Sequence, residues 1–289
     1  MIFEYALEPA LLNNWKDMRF YKDSCGIGMG RLISEYPHKW ERHVFDAIRL
    51  SSAGEVEKKR IKEALRNIIK YKMYRRTSAA WDDRVDWLSN ALREHASKPF
   101  RAIVAEVDKA RESGQLLCGE FLDETNTLWK CDHSVDIPRS AADMANVVKP
   151  ILELASVIVF IDPHMDPHEG RYKRPTLEFL KIIANRTTGV PLRRLEYHVS
   201  DKWEENEFKR RLDTDLKPHK PAGISLSIFR WNEDSMHNRY ILTDIGLVQF
   251  GNGLDEGRRP DRDKVTRLSE ADQQLIWRQF TSGTPFHVI

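Results

Sequence analysis

The feature that most restricts how this chain can fold is the run SVIVFID at 156–162, in which Val157 to Ile161 are all apolar. A short run with no polar alternation suits a strand covered on both faces, as in a parallel sheet between helices. The segments after it alternate. RPTLEFLKIIANRT (174–187) predicts a helix and LRRLEYHVS (192–200) a second strand. DKWEENEFKRRLDTDL (201–216) predicts an amphipathic helix with Trp203, Phe208 and Leu212 inward, and GISLSIFRW (223–231) a third strand. Two further strands follow across the turn TDIG. This order predicts an α/β domain over 139–289 with a mixed, mainly parallel sheet. Ahead of it, AADMANVVKPILELA (141–155) predicts a helix that Pro150 kinks or ends.

Residues 1–138 read as mostly helical and of unknown role. EVEKKRIKEALRNIIKYKMYRR (55–76) places Val56, Ile61, Leu65, Ile68 and Ile69 near one face and basic residues elsewhere. WDDRVDWLSNALREHA (81–96) repeats the pattern, with Ser78 as a cap upstream. FRAIVAEV and QLLCGEFL are short apolar stretches, and NTLWKCDHSVDIP reads as a strand or loop near a boundary. Trp15, Trp40, Trp81 and Trp87 are expected as core aromatics.

The 46 Lys and Arg nearly balance the 44 Asp and Glu, so bulk charge gives no sign of a polyanion partner and any such contact needs a local patch. Cys25, Cys118 and Cys131 are sparse, odd in number and lack C-x-x-C spacing. That fits a reducing compartment and argues against a disulfide framework or a structural zinc. The N-terminus lacks the features of a signal peptide, and no apolar run reaches the ~20 residues that span a bilayer. A cytoplasmic protein without a transmembrane segment is expected.

The stretch SMHNRYILTDIGLVQFGNGLDEG (235–257) carries most of the functional signal. Strand alternation would turn His237 and Arg239 to one side and Asn238, Tyr240 and Leu242 to the other. Asp244 and Gly246 suit the turn. The returning strand ends in Gly251, Asn252 and Gly253, where backbone N–H groups can approach an anion. An imidazole, a guanidinium and a glycine run together suit a phosphate group. A lone His-x-Arg on a strand is ordinarily just exposed decoration, and Asp244 taken alone is a turn former. The spacing to Asp244 and to GNGLD distinguishes this one.

HNRYILTDIGLVQFGNG resembles the phospholipase D superfamily signature, with His237, Arg239, Asp244 and Gly251 in the four positions and Arg in place of the family's Lys. It also resembles the phospholipase-D-like C-terminal domain that follows MIT domains, in which a His-Asp-Arg triplet precedes a hairpin ending in Gly-x-Gly-Leu-Asp. HNR (237–239), GNGLD (251–255) and FIDPHMDP (160–167) carry that likeness, over roughly a third of the chain. In active members of the superfamily the resemblance implies a nucleophilic His, a phosphate-holding Lys and a second His as acid. That second His comes from another motif copy or a twofold-related subunit. In the MIT-associated domain it implies binding of phospholipid or protein without catalysis.

FIDPHMDPHEGRY (160–172) supplies a second cluster, Asp162, His164, Asp166 and His168. Open α/β sheets bind ligands beyond the carboxyl ends of their strands. Asp162 and His164 lie at one such end, and His198 and Ser200 at the next. His164 would be the acid of a one-chain site. Alternatively, Asp162, His164 and His198 would hold a divalent metal in a metal-dependent phosphoesterase. For Asp166 and His168 a solvated loop is expected. Arg171, Lys173, Arg174, Arg193, Arg194 and KRRL (209–212) are candidates for a local basic patch.

The expected function is a module that binds a phosphate-bearing ligand (nucleic acid or a phospholipid headgroup) or a partner protein, without cofactor or metal. By analogy it would be one component of a bacterial phage-defence-type system. Arg239, Gly251, Asn252 and Gly253 would hold the phosphate, with Asp162, His198 and Asp244 in support. The alternative is a metal-independent phosphodiesterase or nuclease with His237 as nucleophile, Arg239 as clamp, and His164 or the His237 of a homodimer partner as acid.

Overall fold

The computed structural model describes residues 1–76, 80–106, 116–119, 122–123, 125–187, 189–280 and 283–289. They form two compact units, Ile2–Asp132 and His133–Ile289.

The N-terminal unit holds α1 (Trp15–Ser24) and α2 (Trp40–Leu50), and the two helices expected from periodicity, α3 (Glu55–Tyr71) and α4 (Trp87–Ser97). They are wound around a parallel sheet that the sequence reading did not contain. Its strands are β1 (Phe3–Leu7), β2 (Arg31–Ser34), β3 (Met73–Tyr74), β4 (Ala102–Ala105) and β5 (Leu116–Cys118), in the order β3-β2-β1-β4-β5. These strands are two to five residues long. Periodicity cannot tell so short a buried run from a piece of helix. Tyr5, Leu7, Ile33 and Val104 face α1, α2 and α3, while Ala6, Ile103 and Ala105 face α4. Trp40 is fully buried and donates from Nε1 to the Leu7 carbonyl (2.7 Å). α4 begins at Trp87 with Asp86 as its cap, accepting from the Ser89 N–H. Ser78 lies outside the described residues.

The C-terminal unit contains β6 (Ser134–Pro138), α5 (Ala141–Leu154), β7 (Val157–Ile161), α6 (Gly170–Ala184), β8 (Arg194–Ser200), α7 (Glu205–Arg211) and β9 (Ser227–Trp231). β10 (Arg239–Thr243), β11 (Leu247–Phe250), β12 (Arg262–Arg267), α8 (Glu270–Phe280) and β13 (His287–Val288) complete it. The eight-stranded sheet has the order β13-β9-β8-β7-β10-β11-β12-β6. β7, β8 and β9 are parallel, and β10 returns antiparallel to β7. The fold is therefore mixed α/β, as the alternation predicts, but the sheet is not mainly parallel as expected: β7–β8 and β8–β9 are parallel and the other five pairings are antiparallel. β6 pairs with β12, so the unit begins before the expected boundary at 138. α5 continues through Pro150 to Leu154, so that proline does not end it.

The all-apolar run of β7 is explained by its central place in the sheet. Phe160 turns to one face, where it stacks on Phe179 of α6 (5.4 Å) and meets Tyr197 of β8. Val157, Val159 and Ile161 turn to the other face, where Tyr240, Leu242 and Leu247 join Phe280 of α8. Each of these side chains removes most of its apolar surface from water, worth about 1.5–3 kcal/mol for a fully buried large residue. Among the described residues no helix is long and apolar enough to cross a membrane.

Candidate functional site

β10 runs antiparallel to β7 with Tyr240 opposite Ile161. The next step of that register brings Arg239, the first residue of β10, beside Asp162 at the carboxyl end of β7, on one face of the sheet. Asp162 is 1% exposed. Its Oδ1 accepts from the His164 N–H (2.9 Å) and its Oδ2 from the Leu254 N–H (2.8 Å). Burial pushes its carboxyl pKa up, against the pull of those two N–H groups and of Arg239. Asp162 thus clamps the loop after β11 to the end of β7.

Arg239 is half-buried. Its Nη1 donates to the His237 carbonyl at a long 3.4 Å, and its Nε is buried without an acceptor. Among the described residues it forms no ion pair. His164 is also half-buried, and its pKa is lowered by desolvation and then by the nearby Lys202 and Arg239. Lys202 donates from Nζ to the His164 carbonyl (3.4 Å). Arg239 and Lys202 thus make a cationic pair at the end of the parallel strands, and together they hold the nearby His164 imidazole towards its neutral form. Lys202 was missed because 201–216 reads as a helix. α7 starts only at Glu205, which leaves Lys202 on the loop after β8.

His237 precedes β10 and is exposed, so strand alternation does not align its imidazole with Arg239. Neither the His237 nor the His164 imidazole has a hydrogen-bond partner among the described residues.

The glycine loop departs from expectation. The Gly251 N–H donates to the Lys264 carbonyl (3.1 Å) and the Asn252 N–H to Asp263 Oδ1 (3.0 Å). The Asn252 side chain donates to the Arg262 carbonyl (3.2 Å). These two amides are engaged within the protein, so they do not form the expected cradle for an anion. Gly253, at φ 144°, leaves no room for a side chain, because a Cβ there would lie 2.5 Å from Asp255 Oδ1 and 3.5 Å from Asp162 Oδ2. The glycines fit the loop against carboxylates, and the Gly251 and Asn252 amides are not free for a phosphate.

Most of the expected basic patch is consumed in the same way. Arg139, which the sequence reading did not single out, donates from Nε to the Asp255 carbonyl (3.0 Å) and pairs through Nη2 with the Asp255 carboxylate. Arg171 Nη1 is 3.6 Å from Asp255 Oδ2, and Arg174 pairs with Glu256. Arg194 pairs with Glu196 (2.8 Å) and Arg210 with Glu207 (2.7 Å). Arg211 pairs with Glu207 (2.8 Å) and with Asp166 (2.7 Å). Asp166 is therefore buried and structural instead of solvated. His168 is exposed, with Nδ1 3.0 Å from Asp215.

His198 and Asp244 stand apart from this group. His198 shares the face of Ile161 and Phe229. It is fully buried, stacked on Phe229 (4.6 Å) and Trp231 (5.7 Å). Trp231 Nε1 donates to its Nδ1 (2.8 Å), and its Nε2 lies 3.1 Å from Glu196. Burial lowers its pKa, so it is a neutral core histidine turned away from Arg239. Asp244 lies at the far end of β10. It accepts from the N–H groups of Ser156 (2.9 Å) and Val157 (3.1 Å), which ties the hairpin turn to the start of β7. With both Asp162 oxygens engaged and His198 on the other face, the expected metal set is not assembled. Among the described residues no group of three or more His, Cys, Asp or Glu could hold a metal.

No family model and no curated protein matches the chain. Among solved structures, the archaeal chromatin protein TrmBL2, described as showing a novel mode of DNA binding, overlaps 53% of this chain and 52% of its own, at 11% identity and a TM-score of 0.31. The chain thus spans about half the length of that protein. An overlap at that TM-score carries no argument about fold or function.

Proposed function

We propose that the C-terminal unit binds a phosphate-bearing ligand through Arg239, with Lys202 and His164 beside it, and does not cleave it. The reading rests on one observation. Arg139, Arg171, Arg174, Arg194, Arg210 and Arg211 of this unit are neutralised by carboxylates, whereas Arg239, beside Asp162 and near His164 at the carboxyl end of β7, has no ion pair among the described residues and, like Arg230 and Arg267, a buried Nε lacking an acceptor. An orphaned buried donor costs about 1–3 kcal/mol, and an incoming phosphate oxygen removes that cost. Arg suits such an anion, presenting a planar fork of donors that stays charged. The phosphate belongs to a nucleic acid or a phospholipid headgroup. The cytoplasm and a phage-defence-type system remain the setting by analogy.

One observation favours binding over cleavage. A histidine nucleophile or acid is ordinarily oriented by a partner on its second ring nitrogen. The imidazoles of His237 and His164 have none among the described residues.

The test is titration with inorganic phosphate, followed by NMR of the intact protein and of Arg239→Gln. Loss of a charge-assisted hydrogen bond worth about 1.5–3 kcal/mol should weaken binding roughly 10- to 100-fold. Equal affinity in the two proteins would sink the reading. Cleavage of a phosphodiester in EDTA that disappears in His237→Ala would replace it with the phosphodiesterase alternative. EDTA-sensitive cleavage would replace it with the metal-dependent one.

A further inference from the structure

A second basic feature lies in the N-terminal unit. α3 places Ile61, Leu65 and Ile68 in the core. At about 100° per residue, the opposite side of the helix carries Lys59, Lys62, Arg66 and Lys70, and all four are exposed. Lys59 and Lys62 have no partner among the described residues. Lys70 lies over the Tyr71 ring (4.7 Å), and Arg66 pairs with Glu63 (2.8 Å). α1 packs beside α3. Their seam is closed by Arg60 over Trp15 (3.8 Å) and by the Trp15 N–H donating to Glu57 (2.9 Å). α1 adds Lys16 and Arg19, both exposed and without a partner among the described residues.

We propose that this two-helix face docks on the phosphate backbone of double-stranded nucleic acid without reading base sequence. Side chains three or four residues apart on a helix repeat every ~5 Å along its axis, so the α3 row is a line of cations about 16 Å long. Lys and Arg supply most phosphate contacts, and the one planar fork of the row suited to a bidentate guanine contact, Arg66, is paired with Glu63. The row holds neither Asn nor Gln. Tyr71 is the exposed aromatic at its end, and Lys70 already covers it, which leaves no stacking platform for single strands. Insertion into a membrane needs apolar side chains on the same face. Val56 is exposed nearby, but the other apolar residues of α3 are turned to the core. The chain's near-neutral total conceals this row.

The experiment is a salt titration of the full chain on a random-sequence duplex of about two helical turns, with Lys59→Gln/Lys62→Gln/Lys70→Gln and Arg239→Gln in parallel. Each lost phosphate contact lowers the slope of log K against log salt by about 0.9, so the triple variant should be shallower by about 2.7. Between 50 and 200 mM salt, the wild type should lose roughly 40-fold more affinity than the triple variant. The triple lysine change should make the slope shallower by the same ~2.7 in the Arg239→Gln background as in the wild type, which separates this face from the site above. Single Lys→Gln variants, each shallower by about 0.9, serve if the triple variant melts early. The proposal is overturned if the duplex does not bind at low salt, if the slope is unchanged in the lysine variants, or if Arg239→Gln alone abolishes binding. Preference for phosphatidylserine vesicles over duplex, lost in the triple variant, would reassign the face to a membrane.

Discussion

Replacing Asp162 with alanine removes the acceptor that ties the glycine loop to the end of β7. Two backbone donors lose their partner, the N–H groups of Leu254 and His164. Leu254 is fully buried, so its N–H bears the whole penalty of about 1–3 kcal/mol for an unsatisfied buried donor. His164 is half-buried and its N–H can recruit water, so its share is at the lower end. Part of the loss is returned, because burial raises the Asp162 pKa and deletion relieves the cost of a buried charge. The net expectation, below the gross sum of about 2–4 kcal/mol, is a loosening of the loop by about 1–3 kcal/mol. Amide hydrogen exchange reads this directly, and the Leu254 N–H should exchange roughly 5- to 150-fold faster. Asp162→Asn keeps the shape and one acceptor and should lose about half as much. Unchanged protection of Leu254 in Asp162→Ala would refute the clamp, and with it the account of why glycine occupies 253.

Asp244→Ala orphans the N–H groups of Ser156 and Val157 and should lower stability by about 1–3 kcal/mol in urea. Phosphate affinity should not change, because Asp244 lies at the other end of β10 from Arg239, and a parallel loss of binding would contradict that. The lowered pKa of His198 sets a pH dependence. The unfolded chain takes up a proton below about pH 6.5 that the folded state refuses, so stability is full above that pH and falls as pH drops towards the folded pKa. His198→Gln should flatten the fall of the urea midpoint between about pH 7 and 5, leaving the share of His164, which has the same sign. An equally steep fall in the variant would refute the assignment. In the N-terminal unit, Arg76→Met strips the fully buried guanidinium from Glu4 (2.7 Å) and Glu94 (2.5 Å). Breaking a buried pair from one side should cost about 3–5 kcal/mol, measured as a shift in the thermal midpoint. A shift corresponding to less than about 1 kcal/mol would show that the two carboxylates do not depend on it.

The C-terminal fold was legible because Val157 to Ile161 leave no polar alternation and the following segments switch period between strand and helix. The sheet of the N-terminal unit was not, because Arg31–Ser34 and Ala102–Ala105 are four residues each and are indistinguishable by pattern from helix interior. At the site, the residue types signalled an anion, and Arg239 and His164 do lie together. The glycine loop misled, because glycine also serves where carboxylates crowd the backbone, and sequence spacing does not distinguish the two uses. Lys202 and Arg139 lay outside every motif.

The sequence by itself determined the order of the elements, the apolar centre of the C-terminal sheet and the presence of Arg239 at the head of a strand, because these depend on local periodicity and turn chemistry. Tertiary structure alone decided which charges remain unpaired. Arg171, Arg174 and Arg239 are alike along the chain. Only the packing of Asp255 and Glu256 against the first two, and the diversion of both Asp162 oxygens to backbone N–H groups, leave the third with a buried donor and no acceptor. Ion pairing is set by distances between residues far apart in sequence, and no local pattern encodes those distances.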